Sequence, residues 1–299
     1  MKPYQIGIDL GGTKIEVLLI SPDAETLFRK RMATPRNDSK NYLAICDAVC
    51  RMIDETLQQV AKNRSVTIGI GIPGIIDAKT QRVINANTTC LIGKPFKADL
   101  ERQLGRKIAV ENDANCFVLA ESLGGAAKDY KTVFGIIMGT GCGGGICVEG
   151  QIYRGRHGIA GEWGHFTIDP AGERCYCGNR GCVETRISGA GVANSFFKKY
   201  QRRLNMAQIV AACRAGDPQA VETFDGFLDD FGRSLGGFIS ILDPDAVVIG
   251  GGLSNIDELY TLGRQRVKRY AFTPRMETPI LKNRLGDSAG VYGAAWIGE

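Results

Sequence analysis

The chain has 299 residues, 44% of them hydrophobic and 23% charged, and a formal net charge of +5. That composition fits one large or two medium soluble domains and excludes a disordered tail protein, a coiled coil and a collagen-like fibre. The basic excess is small and scattered, so no nucleic-acid surface is expected, and no stretch is apolar enough for a membrane span or a signal peptide, which points to a cytoplasmic protein without a membrane partner.

In chain order, two β-rich segments, residues 5–10 and 15–20, are joined by Gly11-Gly12-Thr13-Lys14 as a hairpin with a glycine turn. Residues 41–62 carry Ile45, Val49, Met52, Ile53, Leu57 and Val60 at helical spacing, with Asp38 or Ser39 as the cap. The apolar run 66–72 ends in Pro73-Gly74 and the run 107–110 in Glu111-Asn112-Asp113, so polar residues stand in turns at strand ends. A second hairpin, runs 133–138 and 144–148 around Gly139-Thr140-Gly141-Cys142-Gly143, echoes the first and suggests two related domains. Asp217-Pro218 starts a long helix marked by Val221, Phe224, Leu228, Phe231, Leu235, Phe238 and Leu242, which stops near Asp243-Pro244. Residues 246–249 read as a buried strand halted by Gly250-Gly251-Gly252, and 255–270 as a helix. Strands alternating with helices make the class α/β. The basic clusters at Lys198, Lys199, Arg202, Arg203 and at Arg264, Arg266, Lys268, Arg269 read as solvated helix faces.

Asp9 and the turn after it supply a carboxylate at a strand end, bare backbone N–H groups, a hydroxyl and a cation, the parts that cradle phosphate and hold Mg²⁺. A single Gly-Gly hairpin is most simply a tight turn, and Gly139-Thr140-Gly141 is the same kind of turn. Two of them, about 130 residues apart and each opening half of the chain, can clamp one polyphosphate. P-loop and Rossmann spacings are absent. Ten cysteines without a secretory signal point to free thiols or a metal site. His165, Cys175, Cys177 and Cys182 offer one imidazole and three thiolates, a closed tetrahedral set for structural Zn²⁺. Asp113 is a candidate general base, with a turn-capping role as the plainer alternative. Glu162 and Glu184 flank the zinc loop and suit vicinal sugar hydroxyls, though each taken singly reads as a surface glutamate.

Asp9-x-Gly-Gly-Thr13, Gly71-Ile72-Pro73-Gly74, Glu111-Asn-Asp-Ala-Asn115, Gly139-Thr-Gly141, Gly161-Glu-Trp-Gly-His165, Cys175-x-Cys-Gly-x-x-Gly-Cys-x-Glu184 and Gly250-Gly-Gly252 stand in the order found in the ROK sugar kinases, which the chain resembles nearly end to end. The resemblance implies an actin-like ATPase (ribonuclease-H-like) fold of two α/β domains with an interdomain cleft: residues 1–116 plus 287–299, and 117–286 with the zinc loop. It implies Asp113 as catalytic base; Gly74, Asn87, Asn112, Glu162, His165 and Glu184 as sugar contacts; and His165 as a zinc ligand too. Asp9, Gly11, Gly12, Thr13, Lys14, Gly139, Thr140 and Gly141 fall on the phosphate and magnesium side, and Gly251 and Gly252 on the adenosine side. ATP and Mg²⁺ are then the implied cofactors beside structural Zn²⁺, and a homodimer is the implied assembly. Asn85-Ala86-Asn87-Thr88-Thr89, Gly93-Lys94-Pro95-Phe96 and Gly286-Asp287-Ser288-Ala289-Gly290 look most like bacterial fructokinases, so D-fructose to fructose 6-phosphate is the expected reaction. An N-acetylglucosamine kinase or a glucokinase is the alternative. The family's repressors carry a helix-turn-helix domain ahead of the first hairpin, and eight residues before Asp9 leave no room for one, so an enzyme is expected.

Overall fold

The structure, a computed structural model, describes residues 2–35, 41–273 and 275–298. Asp38 and Ser39, the expected caps of the first helix, lie outside the described residues. The chain falls into two compact units, Met1–Leu123 with Gln151–Ala160 and Asp287–Glu299, and Gly124–Gly150 with Gly161–Gly286. The boundary expected after residue 116 therefore comes after Leu123, and residues 151–160 belong to the first unit. Both differences have one cause: the helix begun at Asp113 continues to Leu123 and packs on the C-terminal helix and on the strand at Gln151–Ile152.

The first unit contains β1 (Tyr4–Leu10), β2 (Lys14–Ile20), β3 (Thr26–Ala33), α1 (Asn41–Leu57), β4 (Val66–Ile72), the short pair β5 (Ile75–Ile76) and β6 (Val83–Ile84), α2 (Phe96–Leu104), β7 (Ala109–Asn112) and α3 (Asp113–Leu123). Its sheet runs β3-β2-β1-β4-β7, antiparallel through the first three strands and parallel from β1 to β4 to β7. Ile6, Ile8 and Leu10 share a core with Ile45, Val49 and Ile53 of α1. The residues between them on β1 point to the other face, since side chains alternate along a strand. There lies α9 (Ala289–Trp296), packed against β1, β4 and α3. Gly7 and Gly69 are register partners, and a Cβ on them would lie 2.1 Å from the Val291 carbonyl oxygen and 1.8 Å from that of Ala294. Gly293 meets the Cys116 carbonyl of α3 as closely. Glycine at these three positions lets the α9 backbone rest directly on the sheet and on α3.

The second unit holds β8 (Thr132–Met138) and β9 (Cys142–Val148); after β10 (Gln151–Ile152) come α4 (Val183–Ile187), α5 (Gly189–Tyr200), α6 (Met206–Arg214), α7 (Pro218–Leu242), β11 (Ala246–Gly250), α8 (Leu262–Tyr270) and β12 (Ile280–Lys282). Its strands run β9-β8-β11-β12, one antiparallel pair followed by two parallel pairs, the same senses as β2-β1-β4-β7. The hairpin echo in the sequence thus marks a repeated sheet pattern. Helix α7 forms as its spacing predicts, with the Asp217 side chain accepting from Gln219 and Ala220 N–H, Pro218 in the first turn, and Asp243 at φ 47° ending it.

Three expected bounds change. The helix expected over 41–62 stops at Leu57, where Gln59 and Val60 close tighter turns. Residues 255–261 form short 3-10 turns, and helix begins only at Leu262. No turn follows β7: it runs through Asn112, and Asp113 is already helical. All ten cysteines are free thiols, and among the described residues no helix is long and apolar enough to cross a membrane.

Candidate functional site

In the first unit the candidate residues gather at one end of the sheet. Asp9 lies opposite Glu16 on β2 and Gly71 on β4. The following turn closes with Gly11 N–H donating to the Lys14 carbonyl at 2.9 Å. Thr34, just past the end of β3, pins it: its N–H donates to the Thr13 carbonyl at 3.0 Å and its hydroxyl to the Gly11 carbonyl at 2.7 Å. Lys14 is the first residue of β2. Asn112 donates through Nδ2 to the Gly74 carbonyl at 3.3 Å, while its Oδ1 accepts from Ala114 and Asn115 N–H and so caps α3. Gly74 is required by contact, because a Cβ there would sit 2.8 Å from the Ala86 methyl. Asn87 is exposed, its N–H donating to the Pro73 carbonyl at 3.1 Å. Asp113 opens α3, with Oδ1 accepting from Ala114 N–H at 2.8 Å.

The electrostatics of this end centre on Asp9. Burial, then the nearby carboxylates of Asp113 and Glu16, push its carboxyl from the usual 3.8 to about 7, and Lys14 and Arg31 only partly offset them. Glu16 is fully buried and paired with Arg29 and Arg31 at 2.5 and 2.7 Å, which leaves Asp9 as the under-compensated member of the group. A divalent cation would supply the missing positive charge, so the residues present fit Mg²⁺ at Asp9.

In the second unit the turn Gly139-Thr140-Gly141 closes with Gly139 N–H on the Gly141 carbonyl at 2.9 Å. Glu184, on α4, accepts from Cys142 N–H through Oε2 at 2.9 Å, and a Cβ on Gly141 would approach that oxygen to 2.7 Å. Gly189 N–H at the start of α5 donates to the Gly139 carbonyl at 2.8 Å. At Gly251, φ 79°, a Cβ would fall 2.4 Å from the Met138 carbonyl oxygen beside the same turn, whereas a Cβ on Gly252 would meet open space. Glu162 is held where Gly144 and Gly164 let the Gly161–His165 stretch close on β9, with the Trp163 indole donating to the Gly143 carbonyl at 3.1 Å. Burial, and secondarily the Glu184 charge, raises the Glu162 carboxyl above its usual range. Two carboxylates forced together in this way are relieved by hydroxyl donors.

His165, Cys175, Cys177 and Cys182 present four ligand atoms within 4.8 Å of one another. Cys177 and Cys182 sulfurs are 3.6 Å apart, as are the Cys175 sulfur and His165 Nδ1. Tetrahedral zinc with Zn–S bonds of about 2.3 Å needs sulfurs about 3.8 Å apart, so the set fits Zn²⁺. The loop closes through Cys175 N–H on the Asn179 carbonyl, and Gly181 is obligatory, since a Cβ there would fall 1.6 Å from the Asp169 carbonyl oxygen.

The family model described as ROK matches residues 5–299. This chain belongs to the ROK family. As a ROK protein it has the actin-like ATPase fold: it superposes on a ROK hexokinase from Thermus thermophilus with a TM-score of 0.87 at 29% identity, over 99% of this chain and 97% of that one. A ROK glucokinase from Streptomyces griseus, solved with glucose and AMPPNP, gives 0.80 at 30% identity over 99% of both chains. A curated relative from Yersinia pseudotuberculosis, 39% identical over 97% of both chains, is named N-acetyl-D-glucosamine kinase, and so is one from Vibrio cholerae, 36% identical over 97% of this chain and 98% of that one. The relatives are named for the alternative acceptor, N-acetylglucosamine, and not for fructose.

Several residues of this ROK chain that shape the site carry no sequence signal of their own. Thr34 looks like a loop threonine until β3 brings it to the first turn. Glu111 accepts from Asn112 N–H, from Asn115 Nδ2 and, at 2.5 Å, from Arg154, tying residues 151–160 to the strand that carries Asn112. A cavity of about 350 Å³ bounded by Thr140, Glu184, Tyr176, Ser188 and Lys198 adds α5 residues that the motifs do not mark. Of these, Glu111 alone was legible, as part of Glu-Asn-Asp; Thr34, Arg154 and the α5 residues were not.

Proposed function

We propose that the chain is an ATP-dependent sugar kinase whose preferred acceptor is N-acetyl-D-glucosamine, phosphorylated on its primary hydroxyl. The observation that carries this reading is the likeness, over 97% of both chains, to relatives named for that activity. The presence of every residue of the implied site supports it. D-fructose becomes the second acceptor to test.

In this reading Asp113 takes the proton of the attacking hydroxyl. Its place at the first position of α3 holds the carboxylate fixed, and Asn112 caps the same helix while its amide is bound to Gly74. Asn112, Gly74 and Asn87 are the sugar contacts of the first unit, and Glu162, His165 and Glu184 those of the second. Glu184 has one oxygen on Cys142 N–H, which leaves the other for a sugar hydroxyl. The exposed amide of Asn87 is the group suited to an acetamido substituent. Gly11, Gly12, Thr13 and Lys14, with Gly139, Thr140 and Gly141, bind phosphate through backbone N–H groups, hydroxyls and the ammonium, and Gly251 and Gly252 take the adenosine side. Asp9 would hold Mg²⁺, which when bound would supply positive charge for the transferring phosphoryl group, so the protein's own residues contribute position and field more than covalent chemistry. His165, Cys175, Cys177 and Cys182 would hold Zn²⁺, which would fix the loop that leads into α4, the helix that carries Glu184.

The test is kcat/KM with MgATP for N-acetylglucosamine, fructose, mannose and glucose side by side. N-acetylglucosamine is expected to lead by about tenfold or more; a lead for fructose restores the other acceptor, and no turnover of any sugar removes the kinase reading.

A further inference from the structure

We propose that Tyr176 is a positioning residue that guards the outward nitrogen of His165: its hydroxyl holds the Nε2 hydrogen in the sugar-free protein and leaves it when the sugar binds. The inference rests on the reading of His165 as a sugar contact.

The Tyr176 hydroxyl oxygen lies 2.9 Å from His165 Nε2, and its ring stands edge-on to the imidazole with centroids 5.0 Å apart. The other ring nitrogen, Nδ1, faces the Cys175 sulfur at 3.6 Å, within the proposed zinc set. A neutral imidazole that ligates a metal through Nδ1 carries its single hydrogen on Nε2, so in this pair the imidazole donates and the tyrosine oxygen accepts. One N–H makes one good hydrogen bond. A sugar oxygen that approaches Nε2 therefore competes with Tyr176 for the same hydrogen, and the two cannot both hold it at full strength.

The local structure allows the exchange. The Tyr176 backbone is fixed between Cys175 and Cys177, with Cys175 N–H on the Asn179 carbonyl and Gly178 N–H on the Cys175 carbonyl. Its side chain is 64% exposed, so rotation about the side-chain bonds frees the hydroxyl without opening the loop. Tyr176 also borders the cavity that contains Glu184 and Thr140, which puts the released ring beside a site wall rather than in a core. While the bond is intact it fixes the imidazole orientation and tautomer; when the sugar arrives, the same hydrogen is handed over already aimed. The cost of the handover is the loss of one partly solvated neutral hydrogen bond, which weakens sugar binding by a factor of about three to ten.

Tyr176→Phe keeps the ring and removes the acceptor. With zinc-loaded protein and the sugar that the wild type phosphorylates best, calorimetric Kd should fall about threefold while kcat stays within about twofold. Zinc content and melting temperature should not change. The chain has only two histidines, so ¹⁵N-imidazole NMR resolves the Nε2–H of His165 directly: it should be protected from exchange in the sugar-free wild type, unprotected in sugar-free Tyr176→Phe, and protected in both once sugar is added. An unchanged or weaker Kd in the variant, an unprotected Nε2–H in the sugar-free wild type, or loss of zinc from the variant each overturns the proposal. If the wild type phosphorylates no sugar, the kinase reading has failed instead, and the NMR comparison still decides the Tyr176–His165 contact.

Discussion

The turn at residues 11–14 and the turn at residues 139–141 join matching antiparallel strand pairs, yet they are held in different ways. The first is one residue longer, closing from Gly11 to Lys14 where the second closes from Gly139 to Gly141. Its surroundings are charged: Asp9 on the strand before it shares space with Asp113 and Glu16, and its carboxyl is pushed up to about 7. The second turn has Ile137 and Met138 before it and no carboxylate on that strand. Its support is Glu184 accepting from Cys142 N–H and Gly189 N–H donating to the Gly139 carbonyl, with α4 following the His165–Cys182 loop. One local motif therefore serves as an electrostatic station in one unit and as a braced scaffold in the other, and the difference comes from what packs around it.

The largest expected effect is at Asp113. Asp113→Asn keeps the shape and removes the proton acceptor, so kcat should drop by at least about 10²-fold with ATP affinity little changed. It also removes a like charge from beside Asp9, so the pH step in stability described next should shrink in the same variant. More than a tenth of wild-type turnover would make Asp113 a helix-opening residue and no more.

Asp9 tests the charged character of the first turn. Between pH 4 and 7 the folded chain holds a proton on Asp9 that the unfolded chain has released, so stability falls as pH rises through about 7. A displacement from 3.8 to about 7 corresponds to an upper bound of about 4 kcal/mol. Without Mg²⁺ and nucleotide, Asp9→Asn should melt higher than the wild type at pH 8, with the gain shrinking toward pH 4. Identical melting profiles for the two proteins would show that the crowding carries no energetic cost.

The bracing of the second turn is tested at the metal. Cys182→Ser should lower zinc from about one per chain, measured by elemental analysis, and cost about 2 to 3 kcal/mol in calorimetric stability. Because Cys182 precedes the helix that carries Glu184, sugar KM should rise while the pH step assigned to Asp9 stays as it was. Stability and KM unaffected by metal loss would detach the zinc loop from the site.

The smallest effect separates the two turns most directly. Gly141→Ala puts a methyl 2.7 Å from Glu184 Oε2 and forces that carboxylate off Cys142 N–H, whereas Gly12→Ala meets nothing closer than Thr88 Oγ1 at 3.7 Å. The loss of one hydrogen bond of about 1 kcal/mol should raise sugar KM about fivefold in Gly141→Ala, and Gly12→Ala should leave sugar KM within about twofold. Equal responses would show that both turns are supported alike.

Some of this was legible in residue order alone. The two hairpins, the strand at 66–72, the α7 helix with its Asp217-Pro218 start, and the His165–Cys182 metal set all depend on short-range patterns: alternation, three-and-four spacing, caps and ligand spacing. They formed as local physics requires. Helix α9 was not readable from periodicity, because its small residues matter only against Gly7, Gly69 and Cys116, each far from it in sequence. The raised carboxyl of Asp9 depends on Asp113 and Glu16, and the roles of Thr34 and Arg154 depend on where β3 and residues 151–160 come to lie. Burial and charge proximity are sums over neighbours that only the folded chain assembles, so residue order determined which groups could react, and tertiary packing decided which of them stand together and in what state of charge.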